Sequence, residues 1–156
     1  MKVKDILDNK RRRGEILQVG KTDAISSAVS IMVQNDTGSV AVYDGPEKFV
    51  GMLTFREVLI AVEKKGFSEG AKCPCGEFLE EDKNAYATPD DGVDQVRNLM
   101  TNRHIRYLPV VQDGKVSDVI SFYDVARSVA KAADFENRML KEYIRDWPTG
   151  DDSEEQ

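Results

Sequence analysis

The sequence predicts an α+β (mixed α/β) fold of two tandem β-α-β-β-α copies packed with pseudo-two-fold symmetry. Three observations carry this. Residues 18–43, QVGKTDAISSAVSIMVQNDTGSVAVY, lie over residues 86–111, YATPDDGVDQVRNLMTNRHIRYLPVV, at an offset of 68. Met32 then falls on Met100, Ala28 on Val96 and Val40 on Leu108. Asp-Gly, the strongest short hairpin signal, separates two apolar runs in each copy. Each copy also closes on a hydroxyl–aromatic–x–carboxylate quartet, within LTFRE (53–57) and ISFYD (120–124). A period near 68 is too long for a solenoid unit, so two copies read as two half-domains.

VKDIL (3–7) precedes the first copy and is matched by CGEFL (75–79) before the second. Short opening strands are expected at EILQV (15–19) and NAYAT (84–88). The next helix carries Ile25, Ala28, Val29 and Met32 at i, i+3, i+4, i+7, and its twin carries Val93, Val96, Leu99 and Met100 on one side. TPDD (88–91) supplies a cap-like Thr88, a proline and acids for a first turn. The hairpins pair SVAVY with FVGML around DGPE, and YLPVV with VSDVI around QDGK. A helix follows each quartet. The last one is long: Val125, Val129, Ala132, Phe135, Met139, Tyr143 and Trp147 recur at steps of three or four before Pro148 ends the run. Such a stripe needs a surface to bury against, and a homodimer is the expected source. The expected boundaries are a first repeat over 1–66, a second repeat with the extended helix over 67–147, and a disordered acidic tail over 148–156.

At 156 residues the chain fits one domain or one tight pair of half-domains, and its composition of 40% hydrophobic and 32% charged residues is that of a soluble globular protein. The net charge of −6 argues against nucleic acid as partner. No window has the roughly 18 apolar residues of a membrane span, and MKVKDIL is too short and charged for a signal peptide. The expected location is cytoplasmic, or an organelle matrix if a transit segment has been removed. Cys73 and Cys75 make at most half a zinc site and His104 is the single histidine, so no metal is expected. A redox role for the two cysteines is the lesser reading beside a linker with free thiols. No P-loop, nucleophile–histidine–acid set or metal quartet points to an enzyme.

Two copies of this plan, each closing on a G-h-h-[TS]-x-x-[DE]-like segment, resemble a cystathionine-β-synthase (CBS) domain pair, or Bateman module. The resemblance covers about residues 3 to 145, and MTNRHIRYLPVVQDGKVSDVISFYDVARSV matches the family pattern best, with Asp118 where glycine is usual. It implies a non-catalytic regulatory module for an adenosyl ligand: AMP first, or ADP, ATP, S-adenosylmethionine or NADH. Ser121 and Asp124 would hold the ribose. Arg106, and Arg56 lent by the opposite copy, would meet the phosphates. Ile16, Leu17 and Val119 would line the adenine. A second, weaker site would use Thr54 and Glu57; there the extra methylene of Glu57 is expected to push its carboxylate into the sugar position. Gly38 replaces the arginine at that site, and Tyr123 the cation lent back.

Plainer readings stand beside these. Ser121 and Asp124 serve equally as helix N-cap and first-turn acid. Arg106 reads also as a surface residue pairing with an acid, and Arg56 as a solvated helix residue. The basic run NKRRRGE (9–15) reads first as a mobile solvated loop and second as a stretch facing phosphate at the cleft mouth. His104 has no apparent serine, cysteine or metal partner and reads as structural or cleft-lining. The alternative to a ligand sensor is a nucleotide-independent interaction scaffold for an unidentified regulated protein, such as a thioredoxin-type partner.

Overall fold

The computed structural model describes residues 1–10, 14–80 and 85–146. Trp147, Pro148 and the expected acidic tail lie outside the described residues, as do the three arginines of the basic run. The elements are α1 (Val3–Asp8), β1 (Gln18–Gly20), α2 (Ile25–Gln34), β2 (Ser39–Tyr43), β3 (Phe49–Thr54), α3 (Phe55–Lys65), α4 (Phe67–Lys72), α5 (Val93–Asn102), β4 (Tyr107–Gln112), β5 (Lys115–Ser121) and α6 (Phe122–Arg145). One sheet has the order β1-β2-β3, with β1 parallel and β3 antiparallel to β2; the other is the antiparallel pair β4-β5.

The two copies agree in detail. Helices α2 and α5 end in the same motif: Thr37 N–H donates to the Met32 carbonyl at 3.0 Å, and Ile105 N–H to Met100 at 2.9 Å. This is the Schellman bond, and it needs a left-handed residue just before the donor. Asp36 (φ 49°) and His104 (φ 54°) hold those places. Asp and His are among the few side chains that tolerate them, which gives His104 a structural task. Both hairpins carry an irregularity at the same place, after Val42 and after Val110. The second turns on Asp113 (φ 53°) and Gly114 (φ 75°), the pair of positive φ angles of a type I′ turn.

The expected strand at NAYAT is the exception. Among the described residues there only Ala87 pairs, in a single parallel bridge to Val110. The sequence holds the physical reason. In the first copy Ala41 N–H donates to the Leu17 carbonyl and Lys21 N–H to that of Tyr43, both at 2.8 Å. The matching donors would be residues 109 and 89, and both are proline, without an N–H to give.

The hydrophobic cores cross the chain order. Val3, Ile6 and Leu7 of α1 pack with Val93, Val96, Met100, Leu108, Val110, Ile120 and Val125 of the second repeat. Cys73 and Cys75, with Phe78 and Leu79 beside them, pack with Val19, Ile25, Ala28, Met32, Val40, Val42 and Leu53 of the first. Each opening segment is laid down by the same three backbone bonds. Val3 N–H donates to Asp91 (2.9 Å), Lys4 to Pro89 (2.9 Å), and Val93 back to Met1 (3.1 Å). Their counterparts run from Cys75 to Asp23 (2.8 Å), Gly76 to Lys21 (3.0 Å), and Ile25 to Cys73 (2.9 Å). The match of VKDIL to CGEFL is thus a match of structural roles.

Helix α6 outgrows its core. Val125 is buried and Val129 packs beside it, but Phe135, Met139 and Tyr143 of the predicted stripe are exposed, together with Leu140 and Ile144.

Ile6→Ala should cost about 2–4 kcal/mol, because the cavity opens in a packed core. Hydrogen exchange should then show protection falling in α5 and β4 while α2 and β2 keep theirs. Loss confined to α2 and β2 would contradict the crossed packing.

Candidate functional site

Two clefts lie between the repeats, of about 1060 Å³ and 1110 Å³. Each is large enough for a nucleotide-sized ligand. The first is walled by Leu17 of the crossing that follows α1, by Val119 and Ser121 of β5, and by Asp124 of α6. The second is walled by Thr54, Phe55, Arg56 and Glu57 at the start of α3, facing Arg103 and His104 after α5. Arg106 stands on the rim and lines both.

At the first cleft, Ser121 caps α6 and Asp124 is its third helical residue. Asp124 N–H donates to Ser121 Oγ at 3.0 Å, and Ser121 N–H donates to Asp124 Oδ2 at 2.8 Å. This is a reciprocal capping box, so the plainer N-cap reading holds for both residues. The box uses one carboxylate oxygen and one hydroxyl lone pair. Asp124 Oδ1 and the Ser121 hydroxyl proton have no other partner among the described residues. They face a helix N-terminus, whose field favours negative charge.

The second cleft repeats the box with a longer acid and a different result. Glu57 Oε2 accepts both the Thr54 N–H, at 2.8 Å, and the Thr54 hydroxyl, at 2.5 Å. The expectation that Glu57 reaches into a sugar position is therefore corrected. Its extra methylene lets the carboxylate fold back over the cap, where it is only 9% exposed, and the threonine proton is already donated.

Of the other expected residues, Leu17 and Val119 join Ser121 and Asp124, whereas Ile16 is half-buried and does not line the cleft. Arg56 does not reach the first cleft. It sits one residue before Glu57 on the first turn of α3 and so goes where Thr54 and Glu57 go. Tyr123, for the same reason, lines its own cleft instead of crossing to the other. Arg106 makes a cation–π contact, its guanidinium carbon 4.9 Å from the Phe55 ring centroid, and has no ion pair among the described residues. Its counterpart Gly38 is dictated by close approach. A Cβ there would stand 2.6 Å from the Tyr107 hydroxyl, which takes the Gly38 N–H, and 2.8 Å from the Phe55 ring.

The structure adds residues that sequence reasoning passed over. Arg127 and Lys131 line the first cleft, three and seven residues beyond Asp124 on α6. That helical spacing was there to be read. Lys10 enters from beyond α1: its ammonium contacts Asp118 Oδ1 at 2.5 Å and also donates to the Val119 carbonyl. Asp118 is 1% exposed, and its Oδ2 accepts the Gly14 N–H at 2.8 Å. Breaking such a buried pair from one side leaves an uncompensated charge, a cost of about 3–5 kcal/mol.

A family model of the CBS domain matches residues 3–64 and 80–131. The chain belongs to the CBS-domain family. The mitochondrial CBS domain-containing protein CBSX3 of Arabidopsis thaliana is 28% identical over 147 residues, which span 92% of this chain and 71% of that protein. A solved CBS-domain protein of Burkholderia ambifaria is 30% identical with a TM-score of 0.75, covering 83% of this chain and 93% of that one. The CBS domain pair of protein MJ0100, solved with 5′-methylthioadenosine and S-adenosyl-L-methionine, superposes with a TM-score of 0.71 at 22% identity, covering 85% and 98%. No helix among the described residues is long and apolar enough to cross a membrane.

The cysteines of this CBS pair are core residues. Both are buried and unbridged. Burial pushes the Cys75 thiol up to about 11, with Asp23 adding to it, and burial raises Cys73 too, aided by Glu77. Among the described residues no group of three or more histidine, cysteine or carboxylate side chains gathers to hold a metal. At pH 8 a thiol of that acidity is about 0.1% thiolate, and the thiolate is the nucleophile. Iodoacetamide should therefore leave Cys75 unmodified in the native protein and label it promptly in guanidinium, as read by intact mass. Equal labelling rates in the two conditions would contradict the buried placement.

Proposed function

We propose that this CBS-domain pair is a non-catalytic regulatory module that binds an adenosyl ligand, AMP first among the candidates, in the cleft of Ser121 and Asp124. The observation that carries the reading is the incomplete use of the capping box. Asp124 Oδ1 and the Ser121 hydroxyl proton are one acceptor and one donor at adjacent positions of a helix N-terminus. Two neighbouring ribose hydroxyls match such a pair, and hydrogen bonds to a charged group contribute about 1.5–3 kcal/mol each. Leu17 and Val119 offer apolar wall for a base, and Arg106, Arg127 and Lys131 offer cations for phosphate. The same fold accommodates two adenosyl compounds in MJ0100.

The ligand's effect would pass to a separate, unidentified protein. Helix α6 is suited to carry it, because its first half walls the cleft while its second half exposes Phe135, Met139 and Tyr143. We assign that stripe to a homodimer contact, which ligand would bias through its differential affinity for the two states. A cytoplasmic location fits this reading, and the mitochondrial relative keeps an organelle matrix beside it. The exposed stripe also favours a second reading, a protein-interaction scaffold that needs no nucleotide.

A thermal-shift panel of AMP, ADP, ATP, S-adenosylmethionine and NADH separates the two. At 100 times its Kd a ligand adds about 2.7 kcal/mol, or about 5–10 °C for a chain of this size. Asp124→Ala should lower the unliganded Tm by about 2–4 °C through loss of the cap and abolish the ligand shift. A flat panel at millimolar ligand would sink the sensor reading and leave the scaffold.

A further inference from the structure

Among the charged groups of the first cleft that ribose and phosphate do not use, Lys10 is a cation, beside the acids Asp5, Glu15 and Asp36. The Lys10 side chain is 17% exposed and lines the cleft. An ammonium has three N–H donors. Two go to Asp118 Oδ1 and the Val119 carbonyl, and no third acceptor is present among the described residues. Asp118 in turn accepts the Gly14 and Val119 N–H groups, each at 2.8 Å, so Lys10 is held from a fully engaged buried carboxylate.

Strand geometry sets the place of this donor. Val119 and Ser121 are two residues apart on β5, so they share a face and stand about 6.5 Å apart. A nucleoside with its ribose on Ser121 and Asp124 brings its base about that far along the strand, against Val119 and Leu17. There it meets the Lys10 ammonium. The Val119 carbonyl on this strand already accepts from Lys10.

We propose that Lys10 is the base-reading residue of this cleft, donating its remaining N–H to a ring nitrogen of the purine. The proposal rests on the adenosyl reading above. Asp118 positions the ammonium. The first repeat has Gly51 at the matching place in β3, so the second cleft has no carboxylate there to hold such a group.

The test is isothermal titration of the full chain with AMP and its 1-deaza, 3-deaza and 7-deaza analogues. A charge-assisted hydrogen bond predicts that one analogue binds at least about tenfold more weakly than AMP. The double variant Lys10→Met, Asp118→Gly removes both charges together and restores the glycine of the first repeat. It should bind AMP about tenfold more weakly than wild type and no longer distinguish that analogue. Equal affinity of wild type for AMP and all three analogues overturns the role of Lys10 without recourse to any variant. A double variant that binds AMP as tightly as wild type does the same, and both results leave the adenosyl reading standing. Wild type that binds none of the four overturns the role of Lys10 and AMP as the ligand together, and the adenosyl reading itself falls only with the flat five-ligand panel above.

Discussion

The exchange of opening segments between the two cores is the constraint on which the other features hang. Each repeat lacks a side of its own core, and the other end of the duplication supplies it: Val3, Ile6 and Leu7 in one direction, Cys73 and Cys75 in the other. Burying such side chains is worth about 1.5–3 kcal/mol apiece, so neither repeat closes well alone. The exchange also forces the chain to cross between halves after α1. The described residues of that crossing, Asn9, Lys10, Glu15 and Leu17 among them, line one side of the first cleft. The cleft is thus a by-product of how the cores are completed, and its geometry is as fixed as they are.

Duplication supplied two equivalent clefts, and a few residues then separated them. One methylene decides the first difference, since Asp124 is too short to reach the cap hydroxyl's proton and Glu57 is long enough to take it. Gly38 and Arg106 mark the second. Tyr107 and Phe55 press against residue 38, and the same Phe55 ring carries the Arg106 guanidinium. Asp118 against Gly51 marks the third, a buried charge in one β-strand where the other has no side chain. Each difference removes something from one cleft or adds something to the other, and together they break the chemical symmetry while the backbone keeps its own.

Local patterns made most of the fold legible. The helices of both copies, the two hairpins and the paired caps are written at spacings of two, three and four, within reach of pattern reading. The lost strand at NAYAT was also legible, since Pro89 and Pro109 remove its donors, but only once the register of β1 on β2 is known. Residues whose roles depend on distant partners were not readable. Lys10 meets Asp118 across 108 positions, and no periodicity links them. Arg56 was assigned to the wrong cleft because its sequence neighbours fix its helix and not the side of the molecule it faces. The backfolding of Glu57 turned on side-chain length in a cap, a matter of ångströms that residue type alone does not settle.

The crossed cores also set an order of events during synthesis. The first core has all its residues once Leu79 has been made. Helix α1, made before α5, β4, β5 and α6, has to wait for a core that ends at Val125. At about 5–20 residues per second that interval is roughly 6–24 s. Through it the apolar face of Val3, Ile6 and Leu7 has no partner, in a chain whose other half is already free to fold. The segment made before either core is among the last to be buried.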